Sequence, residues 1–273
     1  MRPANEGPLL SIRDAVFRYP GAARPALQEV SLEVGPSEVF GLLGPNGAGK
    51  TSLLKLSAGL LRPIEGTVQL LQDPAASLSR REAARRAAYV PASIPAGFPM
   101  TVREFVTLGR LPHLRGFFES RMDRDRVQEA LEFAGIAQMA ERPYSALSSG
   151  EQKRVLLARA IAQGPRVFLL DEPTANLDIA HGISLMHRLR QRARQTRAAI
   201  LASFHDLNIA LQCCDRIVLL KAGRIAAQGD PESVMRYPTI RAVFECEVYI
   251  GRNELNGTLF MVPMAPASED APR

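Results

Sequence analysis

The chain has 273 residues, enough to bury a substantial core in one large domain or two modest ones. Its 34 Lys and Arg against 28 Asp and Glu leave a net charge of +6, which suits a phosphate ligand, a membrane surface or a nucleic acid and selects none of them. No run of about 18 apolar residues offers a membrane span, and three cysteines, Cys213 beside Cys214 with Cys246 distant, make neither a CxxC pair nor an even disulfide framework.

The N-terminal stretch MRPANEGPLLSIRDAV lacks the apolar run of a secretory signal, so a soluble or peripheral protein of a reducing compartment is expected. Residues 9–34 alternate apolar and polar around a turn at Tyr19-Pro20-Gly21, the pattern of short antiparallel strands. From Glu38 to Leu43 (EVFGLL) the pattern is that of a buried strand, followed by a glycine-rich loop to Gly49 and a helix from Lys50 to Leu60. Two Arg-dense stretches, Ser79 to Ala88 and His187 to Arg197, lack interleaved aromatics; they read as solvated helix faces, and no nucleic-acid partner is expected. Pro95, Gly97 and Pro99 break the chain before two helical stretches. The second, Arg126 to Ile136, places Val127, Ala130, Leu131 and Ala134 on one face, so residues 93–144 read as a helical insertion. Strand and helix then alternate: a helix opening at Ser148-Ser149-Gly150, the strand VFLLD, a helix from about Ile179, the strand AAILAS, a helix from Leu207 and the strand RIVLL. The tail from Glu245 to Pro263 reads as a hairpin turning near Asn256-Gly257.

Three short segments carry chemistry. GPNGAGKTS, Gly44 to Ser52, satisfies G-x-x-x-x-G-K-[ST] between a strand and a helix, where loop N–H groups can ring phosphates. Lys50 then serves as a point charge and Thr51 offers a hydroxyl to Mg²⁺. VFLLDEP ends an apolar strand in two carboxylates, Asp171 to hold the metal and Glu172 to polarise a water. Ser148 and Glu151 form a capping box; with its small side chains the same helix start is also a possible anion site.

Taken in order, Gly44 to Ser52, LSSGEQ (Leu147 to Gln152), LLDEP with TANLD (Leu169 to Asp178) and SFHDL (Ser203 to Leu207) resemble an ATP-binding cassette ATPase over nearly the whole chain. The resemblance implies an α/β P-loop fold with an antiparallel β-subdomain and a helical insertion. The domain it implies covers residues 1–263: a core of 1–92 and 145–245, a helical subdomain of 93–144, a hairpin of 246–263 and a flexible tail of 264–273. It implies Tyr19 stacking on adenine; Gly44, Pro45, Asn46, Gly47, Ala48, Gly49, Lys50, Thr51 and Ser52 around the phosphates; and Thr51 with Asp171 on Mg²⁺. Glu172 becomes the general base and His205 the γ-phosphate sensor, while Ser148, Gly150 and Asp178 face the ATP or interface of a second copy. His113, His181 and His187 receive no role at the nucleotide.

Two positions depart from the family pattern. Ala92 stands where the family carries a Gln that touches the metal and relays nucleotide state, and Ser149 where it carries Gly; slower hydrolysis than in a typical relative is expected. FPMTVREFVTLGRLPHL (Phe98 to Leu114), HDLNIALQCCDRIVLLKAGRIAAQG and the tail VFECEVYIGRNELNGTLFMVP are similar to the ATPase subunits of bacterial importers for iron-siderophore, haem and cobalamin complexes. Such a subunit would sit peripherally on the cytoplasmic face of the inner membrane, with separate transmembrane permease chains and, indirectly, a periplasmic substrate-binding protein. Closure of the dimer would pass through residues 92–118 to the permease. The alternatives are a cassette ATPase acting without a permease, as in iron-sulfur cluster assembly, and a degenerate nucleotide-binding scaffold; the latter is opposed by the intact Lys50, Asp171, Glu172 and His205.

Overall fold

Every residue of the strands Val39–Leu43, Val167–Leu170 and Ala199–Ser203 is buried, as expected of a parallel sheet covered on both faces. The computed structural model describes residues 7–94, 99–114 and 119–264. The expected tail from residue 265 on lies outside them, as do residues 95–98 and 115–118 of the segment expected to carry closure to a permease.

In chain order the elements are β1 (Leu10–Phe17), β2 (Leu27–Val34), β3 (Val39–Leu43), α1 (Lys50–Ser57), β4 (Glu65–Leu70), β5 (Asp73–Pro74), α2 (Arg80–Arg86), β6 (Ala87–Val90), α3 (Val102–Thr107) and α4 (Arg121–Phe133). There follow α5 (Ser149–Gln163), β7 (Val167–Leu170), α6 (Ile179–Thr196), β8 (Ala199–Ser203), α7 (Leu207–Cys213), β9 (Arg216–Lys221), β10 (Arg224–Gly229), α8 (Pro231–Val234), α9 (Tyr237–Phe244), β11 (Glu247–Arg252) and β12 (Leu259–Met264). The main sheet has the order β10-β9-β3-β8-β7-β6, parallel except for the edge strand β10; an antiparallel sheet β2-β1-β4-β5 lies apart, and β11-β12 form the terminal hairpin. The twofold alternation of side chains divides the interior. Val39 and Leu43 of β3 face a core shared with α3, α4, α5 and α6, while Phe40 and Leu42 face a second core shared with α1 and the antiparallel sheet. The loops after β3, β6, β7 and β8 therefore leave the sheet at its carboxyl edge, the place where open α/β sheets build sites.

The helix after the glycine-rich loop ends at Ser57, short of the expected Leu60. Gly59 takes the left-handed φ of 70°, and the Leu60 N–H turns back to the Lys55 carbonyl at 3.0 Å. The stretch Ser79 to Ala88 divides: Arg80–Arg86 form a helix with no buried residue, opened by a Ser79–Glu82 capping box, while Ala87 and Ala88 are buried at the start of β6; the helix is nonetheless more than a solvated face. Arg81 Nε and Arg85 Nε both donate to the Pro112 carbonyl, at 2.9 and 2.8 Å, and the Arg81 guanidinium also reaches the Leu114 carbonyl. These arginines hold the carbonyl end of the 3₁₀ stretch Leu108–His113. Within the helical segment Arg110 Nε meets Asp123 Oδ1 at 2.9 Å, both buried, and Arg110 Nη1 donates to the Ala162 carbonyl of α5 at 2.6 Å. The hairpin docks on α7 through Asn208, whose amide exchanges hydrogen bonds with Met261 N and O at 2.8 and 3.0 Å. All three cysteines are free; Cys213 and Cys214 are buried at the C-terminal end of α7 and Cys246 is half-buried. Burial pushes the Cys213 thiol up to about 11 and the Cys214 thiol well above its ordinary value. Among the described residues no helix is long and apolar enough to cross a membrane.

Candidate functional site

The turn from β3 into α1 is built on backbone that only glycine accepts. At Gly49, with φ of 105°, a Cβ would stand 2.6 Å from the Ala26 carbonyl oxygen. The loop closes on itself where the Ala48 N–H meets the Pro45 carbonyl at 3.2 Å, and it is pinned from outside by the Gly223 N–H on the Ala48 carbonyl at 3.0 Å. Asn46 and Gly47 are left at its exposed crest. Lys50 Nζ arches back to donate to the Gly44 and Pro45 carbonyls at 2.6 and 3.0 Å. Burial lowers the Lys50 pKa, and the nearby carboxylates of Glu172 and Asp171 oppose that shift. Tyr19, in the turn after β1, packs its ring edge-to-face with Phe17 and sets its hydroxyl 3.1 Å from Ser52 Oγ, which brings an aromatic beside the loop.

Asp171 is the hub of the site. Its Oδ2 accepts from Thr51 Oγ1 at 2.8 Å and from the Tyr89 hydroxyl at 3.3 Å, and its Oδ1 accepts from Ser203 Oγ at 2.7 Å. Tyr89 has its pKa raised by burial and then by the Asp171 charge, so its phenol stays a donor. One residue on, Glu172 adopts the left-handed φ of 50°, and its Oε1 lies 2.6 Å from His205 Nε2, where an imidazole N–H donates to the carboxylate. Residues from α1 and from the loops after β7 and β8 thus converge: Lys50, Thr51, Asp171, Glu172 and His205 meet at one edge of the sheet. Thr51 and Asp171 present two hard oxygens side by side, while among the described residues no cluster of three or more His, Cys, Asp or Glu forms a metal cage. That donor set suits Mg²⁺, which is held by one or two carboxylates together with phosphate oxygens.

Three neighbours of the site receive no role from the sequence, Ser203 among them although it opens the segment SFHDL. Ser203 links the two carboxylate residues, donating to Asp171 and accepting from the Glu172 N–H at 2.9 Å. Tyr89 approaches from β6. Lys153, on α5 and 3% exposed, donates to the carbonyls of Asp171 at 2.8 Å, Ala92 at 3.1 Å and Pro91 at 3.2 Å. Burial brings its pKa down to about 8, against the opposing pull of Asp171 and Glu172.

Ser148, Gly150 and Asp178 lie elsewhere, in a cleft of about 400 Å³ lined also by Glu151, Arg154 and His181 and by none of Lys50, Asp171, Glu172 or His205. The capping box is present: Ser148 Oγ accepts from the Glu151 N–H at 3.3 Å, and Glu151 Oε2 accepts from the Ser148 N–H at 2.8 Å. A Cβ on Gly150 would stand 2.9 Å from the Asn176 carbonyl oxygen, so glycine lets the loop before α6 lie against this helix start. Asp178 caps α6 through the His181 N–H at 2.8 Å and meets the His181 ring at 2.5 Å. Of the departures from the family pattern, Ser149 is exposed in the first turn of α5, Ala92 enters the site through its carbonyl alone, and Ser93 is exposed.

The family model described as ABC transporter matches residues 27–175. The hemin import ATP-binding protein HmuV of Gloeobacter violaceus is 41% identical over 254 residues, covering 90% of this chain and 92% of its own. The cobalamin import ATP-binding protein BtuD of Halobacterium salinarum is 40% identical over 238 residues, and the match spans 87% of this chain but 60% of that relative's length. Among solved structures, the dimeric structure of MJ0796, a bacterial ABC transporter cassette, has a TM-score of 0.72 at 27% identity, covering 81% of this chain and 98% of its own. A chain of a transporter described as of metal-chelate type, in an inward-facing conformation, has a TM-score of 0.82 at 24% identity over 95% of this chain and 98% of its own, a likeness of fold alone.

Proposed function

The chain belongs to the ABC transporter family, and from that premise we propose that it is the ATP-hydrolysing subunit of an importer for a haem, cobalamin or iron-siderophore type of metal chelate. The observation that carries the reading is the convergence of Lys50, Thr51, Asp171, Glu172 and His205 at the carboxyl edge of the sheet.

In this reading the loop Gly44 to Gly49 offers its N–H groups to the phosphates of ATP and Tyr19 offers its ring to the adenine. Lys50 exchanges its carbonyl contacts for phosphate oxygens. Thr51 and Asp171 hold Mg²⁺, which supplies charge neutralisation at the phosphates when bound. Glu172 accepts the proton of a water attacking the γ-phosphoryl group, yielding ADP and phosphate, and His205 fixes the carboxylate that does so. Ser148, Gly150 and Asp178 serve the site of a second copy, so that two chains share two nucleotides. The segment of residues 92–118 faces separate permease chains in the membrane, a periplasmic binding protein delivers the chelate to them, and the subunit sits peripherally on the cytoplasmic face of the inner membrane. The relatives named for hemin and cobalamin import support the substrate class.

The test is the rate of Mg-ATP hydrolysis by the purified chain at high protein concentration, with Glu172→Gln as the blank. The expected rate exceeds the blank by about 100-fold or more, the usual worth of a positioned base; equality with the blank removes the hydrolytic reading. Purification in detergent should also bring down a polytopic permease, and its consistent absence would leave a cassette working without one.

A further inference from the structure

The peptide joining Asp171 to Glu172 is gripped at both ends: its carbonyl accepts from Lys153 Nζ at 2.8 Å and its N–H donates to Ser203 Oγ at 2.9 Å. It needs gripping, because Glu172 has a left-handed φ of 50°, a conformation that a residue with a side chain keeps only where its surroundings over-determine it. Rotating this peptide would swing the Glu172 carboxylate away from His205 Nε2, now 2.6 Å from it. Lys153 meets that need. Buried at 3% exposure on α5, it spends its three donors on three main-chain acceptors, the carbonyls of Asp171, Ala92 and Pro91. Two of those acceptors belong to the exit of β6, where Ala92 offers no side-chain polar atom of its own.

We propose that Lys153 is a positioning residue for hydrolysis, holding the Asp171–Glu172 peptide so that Glu172 faces His205 and tying that peptide to the Pro91–Ala92 main chain. The proposal rests on the hydrolytic reading above. It gives α5, whose cap is Ser148 and whose first turn carries Gly150, a direct mechanical link to Glu172. A movement of that helix therefore reaches Glu172 through one ammonium, with no side chain at position 92 taking part.

The experiment compares full-length wild type, Lys153→Met, Ser203→Ala and the double variant, reading kcat and KM for Mg-ATP separately, with nucleotide affinity measured on the Glu172→Gln background. Lys153→Met should lower kcat at least about tenfold while KM and nucleotide affinity stay within about twofold. The double variant should lose less than the product of the two single losses, since both release one peptide. Lys153→Gln, which keeps an amide donor, should recover part of kcat, and it takes the place of Lys153→Met if that variant does not fold. The proposal is overturned by a kcat within twofold of wild type, by a loss in kcat matched by an equal loss of nucleotide affinity, or by single losses that multiply. A wild-type rate no higher than Glu172→Gln overturns the hydrolytic reading itself, whereas a wild-type rate above that blank and unchanged in Lys153→Met overturns this proposal alone.

Discussion

Glu172 carries two local constraints, a left-handed backbone and a 2.6 Å hydrogen bond to His205. Replacing His205 by Ala frees the carboxylate to rotate, and we expect kcat for Mg-ATP to fall on the order of 100-fold with nucleotide affinity little changed; steady-state kinetics beside equilibrium binding of a labelled nucleotide will check this. Residues of this kind differ in how readily a sequence discloses them. Lys50 and Thr51 stand at fixed offsets from glycines whose backbone no other residue accepts, and Asp171 and Glu172 end an apolar strand, so type and spacing point to the chemistry. Lys153 acts on main-chain atoms distant in sequence, and a lysine in a helix carries no pattern that separates it from a solvated neighbour; Ser203 lies in the segment SFHDL, but its type and place do not disclose that it bonds both Asp171 and the Glu172 N–H. Asp178 shows a third case: the resemblance places it toward a second copy, and within this chain it caps α6 and meets the His181 ring.

The elements around the site are stiffened by a buried ion pair that joins the helical segment to α5. Arg110 and Asp123 are each 7% exposed, and the Asp123 carboxyl is held below its ordinary range first by the Ser120 hydroxyl and then by Arg110, against the opposing effect of burial. Arg110→Met should cost about 3 kcal/mol of stability, because it strands the partner charge. A folded-state pKa below the unfolded one contributes stability that is present above the usual carboxylate value of about 4 and is lost as pH falls through the lower folded value. Thermal unfolding from pH 7 down to 3 should therefore show the gap between wild type and Arg110→Met narrowing at the acid end. At this scale the sequence conveys the strands buried on both faces and the amphipathic helices, since hydrophobic period and length mark them. It conveys α2 poorly as a contact surface: the helix buries no residue, so no apolar period advertises that Arg81 and Arg85 hold the Pro112 carbonyl.

For the molecule as a whole, the sheet separates two cores and gathers the loops after β3, β7 and β8 at one edge, while the cleft of Ser148 and Gly150 opens elsewhere. If that cleft serves a second copy, a chain damaged at Lys50 and one damaged at Ser148 fail separately and succeed together. Mixing Lys50→Ala with Ser148→Arg should restore a fraction of wild-type hydrolysis that neither variant shows alone, measured by phosphate release. The parallel order of the sheet was legible as alternating strand and helix; the division between two cores was not, because it depends on which face of β3 each helix returns to. The burial of Cys213 and Cys214, with both thiols pushed far from ionisation, gives the native chain an unplanned experimental handle. A maleimide at neutral pH should add once per chain, at Cys246 beside the hairpin, and three times after denaturation, as intact-mass spectrometry will count. A dye placed there reports on the hairpin without a single substitution, and the delayed second and third additions record how often the fold opens.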